Sequence, residues 1–372
     1  MSLRILVIDG LRHTKLTGYG RLSRGVIQGL VACGHEVHLQ THPREWERVL
    51  PAERALLESL PRARSEAGVD VVLMIGSPPS TKPNRWSKPS LMFTMNDLGG
   101  RLPPDWLPAL DGVDGVIVPG EFHRRVFARH VDRVYVAALG ADSPSFYPEP
   151  EVRERLWGAF SLLYVGSYAF RKGTDLLLET FLEEFHPSEP VELVLQCSGA
   201  DPRHAGRYLQ AALARGRPGA RVRMSGNPLS EDALRRLYTQ ADCFITLTRA
   251  EGWGLPVGEA LLCGTPVIAP GSSGIGEYLG AEHAELIGVQ QRPVAELAPA
   301  GFGGSFRAQY GLAGITYDEP DAHEARAAMR RVIADPATAR AKAVRAREFL
   351  LANYTWQDCA RRVEAACRDL IS

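Results

Sequence analysis

The 372-residue chain has few cysteines, no surplus of charge and no long apolar run. Lys and Arg total 43, as do Asp and Glu, so the formal charge is zero. That balance excludes a protein that holds polyanions through a net basic field, though not one with a local basic pocket, and no nucleic-acid partner is expected. The six cysteines are Cys33, Cys197, Cys243, Cys263, Cys359 and Cys367, with no C-x-x-C pair among them. They are too sparse for a disulfide scaffold, and a zinc site is not expected. Several fall in apolar stretches and read as buried, reduced thiols. No stretch approaches the ~20 apolar residues of a membrane span. The apolar run 5–8 is cut by Asp9 and followed by Arg12, His13 and Lys15, unlike a signal-peptide core. A cytoplasmic location is expected. Arg-bearing faces within 45–66 and 124–130 read as solvated surface, with weak peripheral contact to the inner face of a membrane as the alternative.

What is present is alternation. Residues 3–8 predict a buried strand, being almost continuously apolar. Leu22, Val26, Ile27, Leu30 and Val31 then recur at helical spacing up to Gly34. Strands are predicted at 36–41, 69–75, 90–95, 115–118 and 134–139, and helices at 121–130 and 45–66, the latter broken at Pro51 and Pro61. The segment 142–150 (DSPSFYPEP) carries three prolines and reads as a linker. Beyond it the pattern restarts, with strands at 161–165, 191–196, 221–225, 243–247 and 266–269. Helices are predicted between them at 174–185, 203–215, 231–240 and 256–263. The fold class is therefore α/β, with two doubly wound parallel-sheet halves in tandem. Residues 271–314 are rich in Gly and Ala and show no period. A structureless loop of that length is unusual in a domain, so the segment is a functional loop region or holds short elements. Helices at 322–333, 338–351 and 356–370 end the chain.

Open parallel sheets bind ligands beyond the carboxyl ends of their strands, and five segments fall there. Thr17-Gly18-Tyr19-Gly20-Arg21 follows the first strand, where glycines let backbone amides approach a phosphate at a helix N-terminus. A dinucleotide fingerprint would need glycine where Ser23 stands and an acidic residue near Gln40-Thr41-His42; a plain tight turn is the other reading. The second segment runs from Gly166 through Ser167 to Arg171, Lys172 and Gly173. Two cations just ahead of a helix oppose its dipole, and a bound anion would resolve the conflict; a solvated pair is the alternative. The third is Thr248-Arg249-Ala250-Glu251-Gly252-Trp253-Gly254-Leu255-Pro256-Val257-Gly258-Glu259. Its two carboxylates, eight residues apart, can face one cleft, or else Glu251 complements the helix dipole and Glu259 lies on the surface. The fourth, Gly226-Asn227-Pro228-Leu229, is a candidate backbone clamp on a base. The fifth is Asn96-Asp97-Leu98-Gly99-Gly100, in which Asp97 is a loop cap or meets an acceptor hydroxyl.

Together these segments resemble the family 4 retaining glycosyltransferases (glycosyl transferases group 1). The likeness is strongest from Leu162 to Ala269, where G-S-Y-x-x-R-K-G precedes S-G-N and then E-G-W-G-L-P-V-G-E-A-L-L-C-G-T-P-V-I-A. The last run is similar to the family's E-x7-E signature. T-G-Y-G-R, D-G-V-I-V-P-G-E-F, L-G-A-D and the terminal Y-T-W also fit the family pattern. The resemblance implies a GT-B fold: two tandem Rossmann-like doubly wound domains facing a central cleft. Residues 1–145, completed by helix 356–372, would form the acceptor domain, and 151–352 the nucleotide-sugar donor domain.

For the site, the resemblance implies that Glu251, Lys172 and Arg171 carry the chemistry. Glu251 would meet donor-sugar hydroxyls, Lys172 the diphosphate and Glu259 the ribose. Gly18, Tyr19, Gly20, Ser167, Asn227, Leu229, Thr248, Gly252, Trp253, Gly254 and Leu255 would complete the donor site, with Asn96 and Asp97 on the acceptor side. The donor would be a UDP- or GDP-sugar, and the acceptor a glycan, a lipid-linked or a small molecule. No metal or other cofactor is expected, because no D-x-D motif stands at a strand end and Lys172, Arg171 and helix N-termini can neutralise the leaving group. Two positions depart from the family pattern: Ser167 replaces an Arg, and Asn96 replaces a His that often precedes Asp. These departures leave open a non-catalytic sugar-nucleotide-binding protein, and the fold leaves open an epimerase or phosphorylase.

Overall fold

A computed structural model describes residues 1–9, 17–40, 51–63, 65–78, 86–149, 158–198, 209–210, 213–214, 220–298, 302–311 and 313–372. The chain divides into two units, Met1–Asn96 with Arg101–Asp142 and Leu351–Ser372, and Asp97–Gly100 with Ser143–Leu350.

In the first unit, β1 (Arg4–Ile8), β2 (Glu36–Leu39), β3 (Val71–Ile75), β4 (Ser90–Phe93), β6 (Gly115–Val118) and β7 (Val134–Val136) form one sheet. Its order is β2-β1-β3-β4-β6-β7, and every neighbouring pair is parallel. β3, β4 and β6 are buried at every residue, as apolar strands covered on both faces must be. The Gly18–Ala32 helix is capped by Thr17, whose hydroxyl accepts from the Gly20 amide at 3.1 Å. Gly18, Tyr19 and Gly20 are thus its first turn rather than a loop ahead of it. A helix at Pro51–Ser59 occupies part of 45–66, of which 45–50 lies outside the described residues.

The last helix, Trp356–Ile371, packs on Gly18–Ala32. Its N-cap Thr355 accepts from the Asp358 amide. Glycine permits the close approach: a methyl group on Gly29 would lie 2.6 Å from the Trp356 carbonyl oxygen and 2.7 Å from Ala360 Cβ.

In the second unit, β8 (Phe160–Ser167), β9 (Val191–Ser198), β10 (Val222–Ser225), β11 (Cys243–Ile245), β12 (Val267–Pro270) and β13 (Glu285–Ile287) form a second parallel sheet in the order β10-β9-β8-β11-β12-β13. Helices Thr174–Glu184, Glu231–Gln240 and Leu255–Leu262 connect its strands. Of the helix expected at 203–215, only 209–210 and 213–214 are described, and these are helical.

One expectation needs correction, and one open choice is decided. Residues 143–149 are not a free linker. Phe146 is fully buried with its ring 6.0 Å from that of Tyr238, and Arg235 binds Glu149 at 2.7 Å and the Ser145 carbonyl at 3.2 Å. Apolar burial and an ion pair thus dock the segment on the Glu231–Gln240 helix. Segment 271–314 holds short elements, one of the two readings left open. Besides β13 it holds β14 (Val289–Pro293) and the helix Gly304–Tyr310, and it leads into β15 (Ile315–Pro320). β14, β15 and β5 (Gly99–Gly100) make a small antiparallel sheet in that order.

All six cysteines are unpaired and five are buried. Burial pushes the Cys197, Cys263, Cys359 and Cys367 thiols up to about 12, so they are inert at neutral pH. Among the described residues no helix is long and apolar enough to cross a membrane.

Ala exceeds Gly in helix propensity by about 1 kcal/mol, yet Gly29→Ala is expected to destabilise the protein by about 1–3 kcal/mol through overpacking. Denaturant unfolding checks the sign; a stabilised variant would show that the two helices do not meet at Gly29.

Candidate functional site

The site begins with strand order. β8 is flanked by β9 and β11, whose connections run to opposite sides, which makes the carboxyl ends of β8 and β11 a topological switch point. Direct pairing of Leu162 with Cys243 therefore brings the loops after residues 167 and 245 together, although they are far apart in sequence. After β8, the chain makes a 3₁₀ turn at Phe170–Lys172 and enters the Thr174–Glu184 helix through Gly173. Gly173 has φ +62°, and a side-chain carbon there would collide with the Leu247 carbonyl oxygen. The turn is pressed against the other loop, and the Arg249 amide donates to the Arg171 carbonyl at 2.8 Å.

Into this junction come four charges. The Lys172 ammonium is hydrogen-bonded to the Glu251 carboxylate. Arg171 Nη1 lies 2.9 Å from Asp97 Oδ2 and 3.7 Å from Glu251 Oε2, and donates to the Ala250 carbonyl at 2.8 Å. The Thr248 hydroxyl stands 3.5 Å from Glu251 Oε2 and donates to the Ala250 carbonyl at 3.1 Å. Lys172 and Glu251 retain only 15% and 12% side-chain exposure. The conflict between two cations and the helix dipole is met here by the protein's own carboxylates.

Burial, reinforced by the Arg171 charge, lowers the Lys172 pKa below its ordinary value despite Glu251 and Asp97. For Glu251, burial opposes ionisation, but Lys172 and Arg171 outweigh it and hold the carboxyl below its usual range. Arg171 stays firmly charged, since Asp97 and Glu251 overcome the cost of its burial. Lys172 and Glu251 themselves line a cavity of about 20 Å³, with Tyr164, Thr246, Thr248, Val257 and Ile275, room for about one water.

The second loop is equally fixed. Trp253 stacks on Tyr278 with centroids 4.8 Å apart, and the Tyr278 hydroxyl donates to the Gly254 carbonyl at 3.2 Å. The Gly274 amide donates to the Glu251 carbonyl at 3.0 Å. Leu255 then opens the Leu255–Leu262 helix with Pro256 in its first turn. Glu259 is not on the surface: it is 5% exposed and accepts from the Tyr238 hydroxyl at 3.0 Å.

The structure thus gathers Arg171, Lys172, Thr248, Glu251 and Asp97, with Gly252, Trp253 and Gly254 on the adjoining loop. Ser167 ends β8 with its side chain exposed, its carbonyl bonded by the Tyr164 hydroxyl at 2.9 Å. Asn227 and Leu229 follow β10, two strands away at the sheet edge, where Gln196 Nε2 donates to the Asn227 carbonyl at 2.7 Å. Gly18, Tyr19, Gly20 and Asn96 belong to the first unit. There the Met95 amide donates to the Tyr19 hydroxyl at 3.2 Å, beside buried Asn96.

Sequence reasoning missed Arg249. Its guanidinium is 4.0 Å above the Phe170 ring, binds Asp175 at 2.7 Å and Glu319 at 3.0 Å, and donates to the Phe170 carbonyl at 2.8 Å. It therefore ties together the turn, the next helix and β15. The only sequence signal was an arginine shortly after an apolar strand with no acidic residue next to it. Arg249→Ala takes the guanidinium from two partly exposed carboxylates, Asp175 and Glu319, and leaves the Phe170 carbonyl with the Gly173 amide alone. Discounting the buried-pair figure for that exposure, a loss of about 2–4 kcal/mol is expected, and a change within 0.5 kcal/mol in denaturant unfolding, the size usual for a plain surface substitution, would contradict it.

Residues 120–363, more than half of the chain, match the family model described as Family 4 Glycosyltransferase in conflict systems. D-inositol 3-phosphate glycosyltransferase of Xylanimonas cellulosilytica is 33% identical over 165 residues, which span 41% of this chain and 38% of that protein. Among solved structures, sucrose-phosphate synthase of Thermosynechococcus elongatus superposes with a TM-score of 0.69 at 18% identity over 99% of both chains. A glycosyltransferase from Rickettsia africae gives 0.70 at 15% identity, covering 100% of this chain and 99% of that one. Anabaena HepE, solved with UDP-glucose, gives 0.68 at 14% identity over 99% of this chain and 100% of its own. At these identities the solved structures speak for the fold, which is GT-B, and the family match speaks for descent: the chain belongs to the family 4 glycosyltransferases.

Proposed function

We propose that this chain transfers a sugar from a nucleoside-diphosphate sugar, UDP- or GDP-linked, to an acceptor hydroxyl, with retention of anomeric configuration and without a metal ion. The observation that carries the reading is the Arg171–Lys172 pair beside Glu251 at the switch point of the second sheet. A leaving nucleoside diphosphate gains charge in the transition state, so cations fixed in advance near its oxygens lower the barrier. Lys172 and Arg171 would take that part. Backbone amides at Gly252, Trp253, Gly254 and Leu255, where the Leu255–Leu262 helix begins, would add to it. With Lys172 drawn to the diphosphate, the Glu251 carboxylate is released to accept hydrogen bonds from donor-sugar hydroxyls. Glu259, held by Tyr238, would meet the ribose.

Glu251 also bears on stereochemistry. Once released from Lys172, its carboxylate would be engaged by donor-sugar hydroxyls and so not placed to attack the anomeric carbon. That supports same-face substitution, in which the leaving phosphate oxygen assists the acceptor hydroxyl, over a glycosyl-enzyme intermediate. Metal independence is supported by the positive charge of Arg171 and Lys172 at the place where a diphosphate would sit. HepE, which shares the fold, was solved with UDP-glucose, and a UDP-sugar is one of the two donors proposed for this chain.

A thermal-shift panel of UDP-, GDP- and ADP-sugars tests the donor, because a ligand that binds the folded state raises the apparent midpoint. Lys172→Ala and Glu251→Ala are each expected to lower turnover by about ten-fold or more, and chelators are expected to leave it unchanged. Lys172 must be protonated to hold the diphosphate, so kcat/KM falls as pH rises through its pKa, at a pH below the ordinary lysine value of 10.5. No shift with any donor, or near-parent turnover of both variants, would overturn the assignment.

A further inference from the structure

Asp97 arrives at the cluster by an unusual route. It lies between the strands of the first sheet in sequence, yet Asp97–Gly100 belongs to the second unit. Gly100 pairs with Ile315 and Gly99 with Thr316, so β5 is an edge strand of the small antiparallel sheet. Leu98 is buried beside Phe170, Phe306, Ile315 and Tyr317. Backbone pairing and apolar burial therefore fix the peptide directly after a charged residue whose side chain remains 33% exposed.

That placement decides which carboxylate each cation takes. Arg171 can reach both: it is 2.9 Å from Asp97 and 3.7 Å from Glu251. Lys172 is bonded to Glu251. We infer that Asp97 is a positioning residue of the transfer site: its carboxylate holds Arg171 off Glu251, so that Glu251 pairs with Lys172 and the cluster carries no net charge until a diphosphate arrives. The inference rests on the donor reading given above and adds to it a residue that acts through Arg171.

The groups that face this pair of cations are Asp97, Glu251, Tyr164 and Tyr310. Asp97 and Glu251 raise the Lys172 pKa, and Arg171 lowers it. Tyr164 and Tyr310 act on Arg171, and burial keeps the Tyr164 hydroxyl neutral. Removing the Asp97 charge thus has three consequences. A diphosphate meets a cluster of net positive charge and binds more tightly. Arg171 turns to its remaining carboxylate, Glu251, and competes with its release to the sugar. Lys172 loses a proton at lower pH.

UDP and GDP are titrated calorimetrically into the full chain and into its Asp97→Asn and Asp97→Glu variants, and turnover is followed across pH. Asp97→Asn is expected to bind the preferred diphosphate about five- to ten-fold more tightly. Its kcat falls, and the basic limb of its kcat/KM profile moves to lower pH. Asp97→Glu keeps the charge and is expected to retain the parent's affinity and basic limb. A loss of kcat in Asp97→Asn with unchanged diphosphate affinity and unchanged limb points to an acceptor contact and overturns the inference. So does an equal loss of all readouts in both variants, which marks a purely structural role. A parent chain that binds neither UDP nor GDP fails at the donor reading itself, an outcome distinct from parent binding that Asp97→Asn leaves unaltered.

Discussion

Two adjacent cations at the start of a helix are repelled by each other and by the helix dipole, and the second unit is organised around compensating them. Arg171 and Lys172 stand immediately before the Thr174–Glu184 helix. Their carboxylates come from elsewhere in the chain, Glu251 from the loop after β11 and Asp97 from the segment before β5. Long-range partners demand a fixed backbone. The β8–β11 pairing, the glycine at 173 and the Arg249 guanidinium supply it.

Arg249 and Lys172 show how one type of interaction serves two ends. Arg249 is buried, forked between Asp175 and Glu319, and stacked on Phe170, which itself packs against Phe306 and Tyr317. Every donor it uses is committed to the fold. Lys172 and Arg171 are bound to Glu251 and Asp97 at strand ends, where open parallel sheets take ligands, and the proposal is that a diphosphate replaces those carboxylates. The first arrangement holds geometry; the second stores positive charge in a neutral cluster.

Much of this was legible in the sequence. Both parallel sheets follow from continuous apolar runs such as 71–75 and 243–245, because strands covered on both faces leave that signature. The helices over 174–184, 231–240 and 356–371 were readable from periodicity and capping residues. Glu251, Lys172 and Arg171 stood out as charges at strand ends. The rest was hidden for physical reasons. β14, Val-Gln-Gln-Arg-Pro, is a polar edge strand with no buried face to impose a period, and β5 has only two glycines. Arg249 and Asp97 matter through partners 70 or more residues away, which no local pattern reveals. Proline suggested a linker at 142–150; the unit boundary falls at its start, and the burial of Phe146 docks 143–149 within the second unit.

The most direct test of the charge cluster as a diphosphate site is proton uptake on ligand binding. Lys172 has a lowered pKa in the free protein because burial and Arg171 disfavour its charge. A diphosphate placed against it must raise that pKa, so protons are taken up at alkaline pH where the free amine is partly neutral. Calorimetric titration of UDP or GDP in two buffers of different ionisation enthalpy counts those protons. Net uptake in the parent chain that disappears in Lys172→Met is the expected result. Binding without uptake, or uptake that survives the substitution, would contradict it.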